Sequence, residues 1–307
     1  MSTAHPVVAI TGSSGAGTST VTEVFEQIFV REHVEAVLVH GDSFHRYDRL
    51  AMRAAQARAT AAGNPSFSHF GPAANLFDRL ETLFEEYGRT GTGQIRQYVH
   101  DDCEAALYGR PPGTFTEWAQ MPAGTDLLYY EGLHGGVRTD DVDVARHVDL
   151  LVGIAPAINL EWIQKLHRDR SQRGYSTEAV TDTILRRMPD YVHYICPQFS
   201  NTHINFLRVP TVDTSNPFIA RWIPTADESI VVIRFADPRG IDFPYLLSMI
   251  DGSFMSRANS IVIPGGKMDL ALQLILTPLI WRLVDRGRRA RAGEGGAVRD
   301  VPVRVPS

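Results

Sequence analysis

"VVAITGSSGAGTSTVTEVFEQIF", residues 7–29, runs from an apolar stretch through a cluster of glycines into a second apolar pattern. Val7 to Thr11 is a short β-branched run stopped by glycine and predicts a buried strand. From Ser19 to Arg31, Val21, Val24, Phe25 and Ile28 recur at helical spacing and predict a helix. Between them, Gly12 and Gly17 have the spacing of the phosphate-binding pattern G-x-x-x-x-G-K-[ST], with Ser19 at its hydroxyl position. Thr18 stands where the lysine is expected, so a cation for the phosphates must come from elsewhere. A glycine turn from strand to helix offers backbone N–H groups and the positive helix end to phosphate oxygens. The expected nucleotide-binding residues are therefore Gly12, Ser13, Ser14, Gly15, Ala16, Gly17, Thr18, Ser19 and Thr20, with the Ser19 hydroxyl offered to a magnesium ion. A turn that merely connects the two elements is the alternative; the preceding strand and the Ser19-Thr20 pair weigh against it.

The 307 residues carry a net charge of −5, which argues against a dedicated nucleic-acid binder. An apolar share of 44% suits a globular chain with a sizeable core. Cys103 and Cys196 are the only cysteines, so there is no disulfide framework and no CxxC metal site. No charged and apolar leader precedes Val7, and the apolar run Leu270–Trp281 is short and contains Pro278. These features lead to the expectation of a cytoplasmic protein.

Further strands are expected in "AVLVHGD" (36–42), "DLLYYEGLHGG" (126–136), "VDLLVGIAP" (148–156), "FLRVPTV", "SIVVIRF" and "NSIVIPGG". Helices are expected over Arg46–Ala62, over "NLFDRLETLFEEYG" to Gly88, over Ile158–Gln172 and over Met268–Arg286, with a loop or hairpin at 109–125. Alternation of strand and helix predicts an α/β fold: a mixed, mostly parallel sheet covered by helices on both faces. Residues 1–290 are expected to form one domain and 291–307 a disordered tail, with the basic residues from Arg286 onward solvated.

Asp42 and Glu131 both end predicted strands, and open parallel sheets bind ligands at that edge. A phosphoryl-transfer site needs one carboxylate near the metal and another to take the acceptor's proton. Lys165, Arg168 and Asp169 share one helical face, followed by Arg173 before Gly174. They form either a solvated helix face or a lid that brings in the cations Thr18 lacks. "DSFHRYDR" places His45, Arg46 and Arg49 within one or two helical turns after Asp42, as a cation cluster beside it or as a turn histidine with surface charges.

Taken with "ITGSSGAGTST", "HGDSFHRYDR", "LLYYEGLHGG", "IQKLHRDRSQRGYS", "ILRRMPDYVHYICPQFS", "THINFLRVP" and "DPRGIDFPYLLSMI", the chain closely resembles the bacterial, NADH-responsive type of phosphoribulokinase. That family phosphorylates ribulose 5-phosphate with ATP in the Calvin cycle, and a threonine at the position of Thr18 is usual for it. The resemblance spans the chain up to about residue 290. It implies a P-loop fold like that of nucleoside-monophosphate kinases, with a lid, and roles at matching positions. Asp42 is implied as the base, Asp169 as a second catalytic carboxylate and magnesium ligand, and Glu131 as the acid of the second nucleotide motif. His45, Arg49 and Arg173 are implied as sugar-phosphate ligands, and Lys165 and Arg168 as cations on the transferring group. Arg186 and Arg187 are implied in allosteric signalling and catalysis, Arg234 and Arg257 in an effector site at a subunit interface. The implied partners are MgATP, ribulose 5-phosphate, NADH as activator, AMP as inhibitor, and other copies of the chain in an octamer.

Two alternatives stay open here: a uridine- or pantothenate-type P-loop kinase, which normally keeps the P-loop lysine, and a non-catalytic nucleotide-binding switch. Plant members of the family carry a regulatory cysteine at the position of Ala16, and neither Cys103 nor Cys196 replaces it. Activity is expected to be insensitive to thioredoxin-type reduction. A several-fold change between oxidised and reduced protein, without aggregation, would overturn this.

Overall fold

A computed structural model describes residues 4–12, 18–171 and 174–293, and of residues 18–20 the backbone only. Strand β1 (Val7–Gly12) is buried along its whole length. It pairs in parallel with β5 (Leu127–Gly132) on one edge and β6 (Leu150–Pro156) on the other. The outer parallel neighbours are β2 (Ala36–His40), beside β5, and β7 (Ile204–Pro210), beside β6. Beyond β7 the sheet turns antiparallel through β8 (Ser229–Phe235), β10 (Ser260–Pro264) and β9 (Phe254–Arg257). The eight-stranded order is β2-β5-β1-β6-β7-β8-β10-β9. The mixed, mostly parallel sheet expected from the alternation is thus present. The expected loop at 109–125 contributes β4 (Ala119–Gln120), which pairs with β3 (Gln94–Ile95) in a separate two-stranded ribbon.

Side chains of a strand alternate between faces, and β1 uses both. Val8 and Ile10 join one apolar cluster with Phe25 and Ile28 of α1 (Thr18–Arg31) and Leu272, Leu276 and Ile280 of α8 (Met268–Arg291). Val7 and Ala9 join the other, with Leu80, Phe84 and Tyr87 of α3 (Phe77–Thr90). Two-sided cover is why β1 and β6 read as continuous apolar runs. In β8, by contrast, buried Val231, Ile233 and Phe235 alternate with half-buried or exposed positions.

The remaining helices are α2 (Arg49–Ala61), α4 (Asp102–Tyr108), α5 (Ile158–Ser171), α6 (Thr177–Asp190) and α7 (Phe243–Met249). Three boundaries differ from expectation. The helix expected from Arg46 begins at Arg49, because the Asp48 carboxylate caps it by accepting from the Ala51 N–H at 2.7 Å. The helix expected to stop at Gly88 continues to Thr90, where Gly91 takes the left-handed conformation (φ 73°) that closes helices. The last helix runs past Arg286 to Arg291.

That extension corrects the reading of its arginines as solvated. Arg288 and Arg291 bind the Asp126 carboxylate at 2.5 and 2.8 Å, and Asp126 also accepts from the Glu35 N–H. Arg286 lies 3.3 Å from Asp149, which accepts from the Val7 N–H. Both aspartates immediately precede β5 and β6, so α8 clasps the sheet edge opposite the C-terminal strand ends. Residues 294–307, most of the expected tail, lie outside the described residues. Among the described residues no helix is long and apolar enough to cross a membrane. Asp126→Ala, which strands these donors, is expected to cost about 1–3 kcal/mol. A chemical-denaturation midpoint equal to wild type would show that the clasp contributes nothing.

Candidate active site

The C-terminal ends of β1, β2, β5 and β6 share one sheet edge, where parallel sheets carry their ligands. Register sets Glu131 of β5 beside Ile10 of β1 and His40 of β2, and Gly12 beside Ile154 of β6. Gly12 ends β1 and α1 begins at Thr18, so a helix N-terminus opens at this edge. Ser13, Ser14, Gly15, Ala16 and Gly17 lie outside the described residues, and Thr18, Ser19 and Thr20 are described only as helical backbone. Glu131 has the His40 ring at 3.6 Å, a contact that raises the imidazole above its ordinary value.

Asp42 lies in a 3-10 turn, Gly41–Phe44, directly after β2. Gly41 is needed there: a Cβ would stand 2.5 Å from the Tyr130 hydroxyl and 3.0 Å from the Gly132 Cα. Two glycines therefore let the turn lie against β5, while Phe44 is buried as its anchor. The Asp42 side chain, 46% exposed, is held between two imidazoles: His45 Nε2 at 3.1 Å from one carboxylate oxygen and His100 Nε2 at 3.2 Å from the other. Its crowded surroundings alone would raise the carboxyl. Hydrogen bonds from His100 and His45, and then their charge, more than reverse this and hold it well below the usual carboxylate range. His100 bridges on to Glu104 at 3.0 Å, and its bond to Asp42 above all pushes it up to about 9.

The turn is fixed from two further sides. Arg96 donates to the carbonyls of Ser43 (2.8 Å) and His45 (2.5 Å) while its guanidinium lies over Phe115 and Trp118. Burial, and then Arg79, bring Arg96 down to about 10. Buried Asn75 meets His45 Nδ1 at 2.8 Å, and the His69 ring lies tilted against the same ring with centroids 4.1 Å apart. Burial, then the charge of His45, push His69 down to about 2. Arg46 donates to the Asn75 carbonyl and Arg49 to the His100 carbonyl.

A second cluster comes from α5, which leaves the end of β6. Asp169, its side chain only 5% exposed, sits between Lys165 Nζ at 2.5 Å and Arg168 Nε at 3.2 Å. Burial lowers Lys165 and the Asp169 carboxylate works against that shift. This helix is not a solvated face: Leu166 packs with Val180 and Ile184 of α6 in a small core of their own. Arg173 lies outside the described residues. On α6, Arg186 donates to the carbonyl of Phe67 at 3.1 Å, and the Arg187 guanidinium lies 5.9 Å from the Phe70 ring centre. The Arg187 charge adds to the lowering of both Lys165 and His69, after burial in each case. Arg234 and Arg257 are not brought here. They lie on β8 and β9, both exposed, and pair in register with Ser260 of β10 between them. Among the described residues neither has a carboxylate partner within ion-pair distance.

A family model described as "Phosphoribulokinase / Uridine kinase family" matches residues 7–215. Two phosphoribulokinases decide the assignment further. That of Nitrobacter vulgaris is 68% identical over 93% of this chain and 99% of its own length; the chromosomal one of Cupriavidus necator is 66% identical over 94% and 99%. The chain is a phosphoribulokinase family member. A solved phosphoribulokinase structure from Rhodobacter spheroides agrees, with 60% identity, a TM-score of 0.86 and coverage of 94% of this chain and 100% of that one. The kinase fold and P-loop class expected from the motifs follow from this membership.

Three residues that surround Asp42 and its turn are not legible in the sequence. His100 stands in the segment before α4 with no motif around it, Asn75 follows a glycine-proline loop, and Arg96 directly follows β3. Only the density of histidines near Asp42 hinted at more than one imidazole partner. The His100 contact carries a pH signature. Its folded-state value lies above the ordinary 6.5, so the contact contributes fully below about pH 6.5 and is lost as pH rises through about 9. In an NMR titration the His100 ring is expected to titrate near 9 and, in Asp42→Asn, to move down toward 6.5. Titration near 6.5 in the wild type would remove the contact from the site.

Proposed function

We propose that this chain transfers the γ-phosphoryl group of MgATP to the C1 hydroxyl of ribulose 5-phosphate, giving ribulose 1,5-bisphosphate. The observation that carries the reading is Asp42, an ionised carboxylate at the nucleotide-binding edge held between two imidazoles. Asp42 is the base. With both oxygens hydrogen-bonded it is a weak one, and a substrate hydroxyl that replaces one imidazole strengthens it just where the proton leaves. The hydroxyl proton passes to Asp42 as the C1 oxygen attacks phosphorus in line and ADP departs.

Lys165 and Arg168 supply the cations that Thr18 cannot, steadying charge on the transferring oxygens. Burial of Lys165 leaves its ammonium poorly solvated, which strengthens any contact it makes with a phosphate. Asp169, released from that pair, is the second catalytic carboxylate. Ser19, Glu131 and Asp169 are oxygen donors of the kind magnesium prefers, one or two carboxylates completed by phosphates, and the ion supplies charge neutralisation at the phosphates. His45, Arg49 and Arg173 hold the sugar phosphate, and residues 12–20 the nucleotide.

The same reading takes the chain as a cytoplasmic homo-octamer whose residues 1–290 are one domain, activated by NADH and inhibited by AMP. Arg186 and Arg187 would relay the effector signal, and the exposed Arg234 and Arg257 would contact the effector. No G-x-G-x-x-G fingerprint is present, so NADH acts as an effector and not in hydride transfer. The test is ADP release from MgATP with ribulose 5-phosphate or uridine, with and without NADH. Turnover is expected with ribulose 5-phosphate alone, rising with NADH, and Asp42→Asn should lower kcat by about 10²–10⁴-fold. Turnover with uridine would discard the sugar-phosphate site, and rates flat across a wide NADH range would discard the effector.

A further inference from the structure

We propose that Asn75 is a positioning residue: it holds the His45 ring as a proton donor toward Asp42 and ties that ring to α6. The proposal rests on the reading of Asp42 and His45 given above. Asn75 is 1% exposed and lies two residues before α3. Its side-chain N–H₂ donates to the carbonyls of His69 at 2.8 Å and Gly71 at 2.7 Å. Both amide hydrogens are thereby used, which sets the amide's orientation and leaves Oδ1 as the atom facing His45 Nδ1 at 2.8 Å. An amide oxygen only accepts, so Nδ1 must carry a proton. The other ring nitrogen, Nε2, faces an Asp42 oxygen, also an acceptor. Both contacts are satisfied together only when the ring carries both of its protons.

The backbone reinforces the pair. His45 and Asn75 form an antiparallel bridge, flanked by Leu76 N–H to Phe44 carbonyl and Arg46 N–H to Ala74 carbonyl, each 2.8 Å. The carbonyls that Asn75 grips belong to a loop that α6 also holds. Arg186 donates to Phe67, the Ser68 hydroxyl donates to Asp190 at 2.8 Å, and Gly71 fits so closely that a Cβ would stand 3.1 Å from the Asp190 carboxylate. A continuous path therefore runs from α6 through the loop and Asn75 to the His45 ring and Asp42. Without Asn75 the ring can turn about its Cβ–Cγ bond and withdraw Nε2 from Asp42.

The first measurement is on the wild-type full chain with 15N-labelled histidine, where both ring nitrogens of His45 are expected to be protonated and hydrogen-bonded. A ring with either nitrogen bare overturns the proposal. In the ADP-release assay, Asn75→Ala is expected to lower kcat about 10–100-fold, the usual effect of losing a partner that orients a functional imidazole. The KM for ATP should stay within about 2-fold, and Asn75→Asp, which keeps an oxygen at Nδ1, should stay within about 10-fold of wild-type kcat. Wild-type kcat in Asn75→Ala also overturns the proposal. If Asn75→Ala does not fold, the wild-type spectrum decides. Full kcat in Asp42→Asn would instead sink the reading of the base, leaving the His45 spectrum to judge the Asn75 contact by itself.

Discussion

Everything in this molecule is built outward from β1, a strand bonded on both edges and buried on both faces. A parallel strand in that position favours apolar side chains, so Val7, Val8, Ala9 and Ile10 are apolar under helices on both faces, and buried Thr11 is kept by donating its hydroxyl to Gln198. That requirement recruits α1 and α8 on one side and α3 on the other. It also dictates where polar chemistry can begin. The first acidic residues clear of the core stand at the C-terminal strand ends, Glu131 near the end of β5 and Asp42 in the turn after β2.

The site contains two carboxylates whose charge is balanced in different ways. Asp42 is partly open and lies between imidazoles, groups that can gain or lose protons and can be replaced by a substrate hydroxyl. Asp169 is closed off and lies between an ammonium and a guanidinium, which keep their charge. Under the proposed chemistry this division is useful: the base needs adjustable partners, whereas the phosphoryl group needs permanent cations close by. Arg187, whose charge reaches both His69 and Lys165, means that a displacement of α6 alters the electrostatics of both clusters at once. The loop 65–71, held by α6 on one side and by Asn75 on the other, gives that displacement a mechanical route as well.

Much of this was legible before any coordinates. The strand–glycine–helix pattern declares itself because hydrophobic period and turn chemistry are local. Asp42 and Glu131 could be found because a strand end is visible in the sequence, and Lys165 with Asp169 because a helix makes residues four apart into neighbours. The quoted motifs then carried the family. The helix ends at Gly88 and Arg286 were misread because a glycine or a cluster of arginines looks like a stop. Gly91 supplied the actual stop of α3, and carboxylates preceding β5 and β6 gave the α8 arginines something to bind.

The sequence by itself determined the class of fold, the nucleotide edge and the two carboxylates, since each depends on contacts within a few residues. Only the tertiary structure decided what surrounds them. His100 reaches Asp42 across 58 positions and Asn75 reaches His45 across 30, and no periodicity links residues so far apart. Arg96 is likewise indistinguishable from a surface arginine until the chain closes over the turn that it grips. The physical reason is that a strand or helix is written in a short-range pattern, whereas the partners that orient a reactive side chain are chosen by packing.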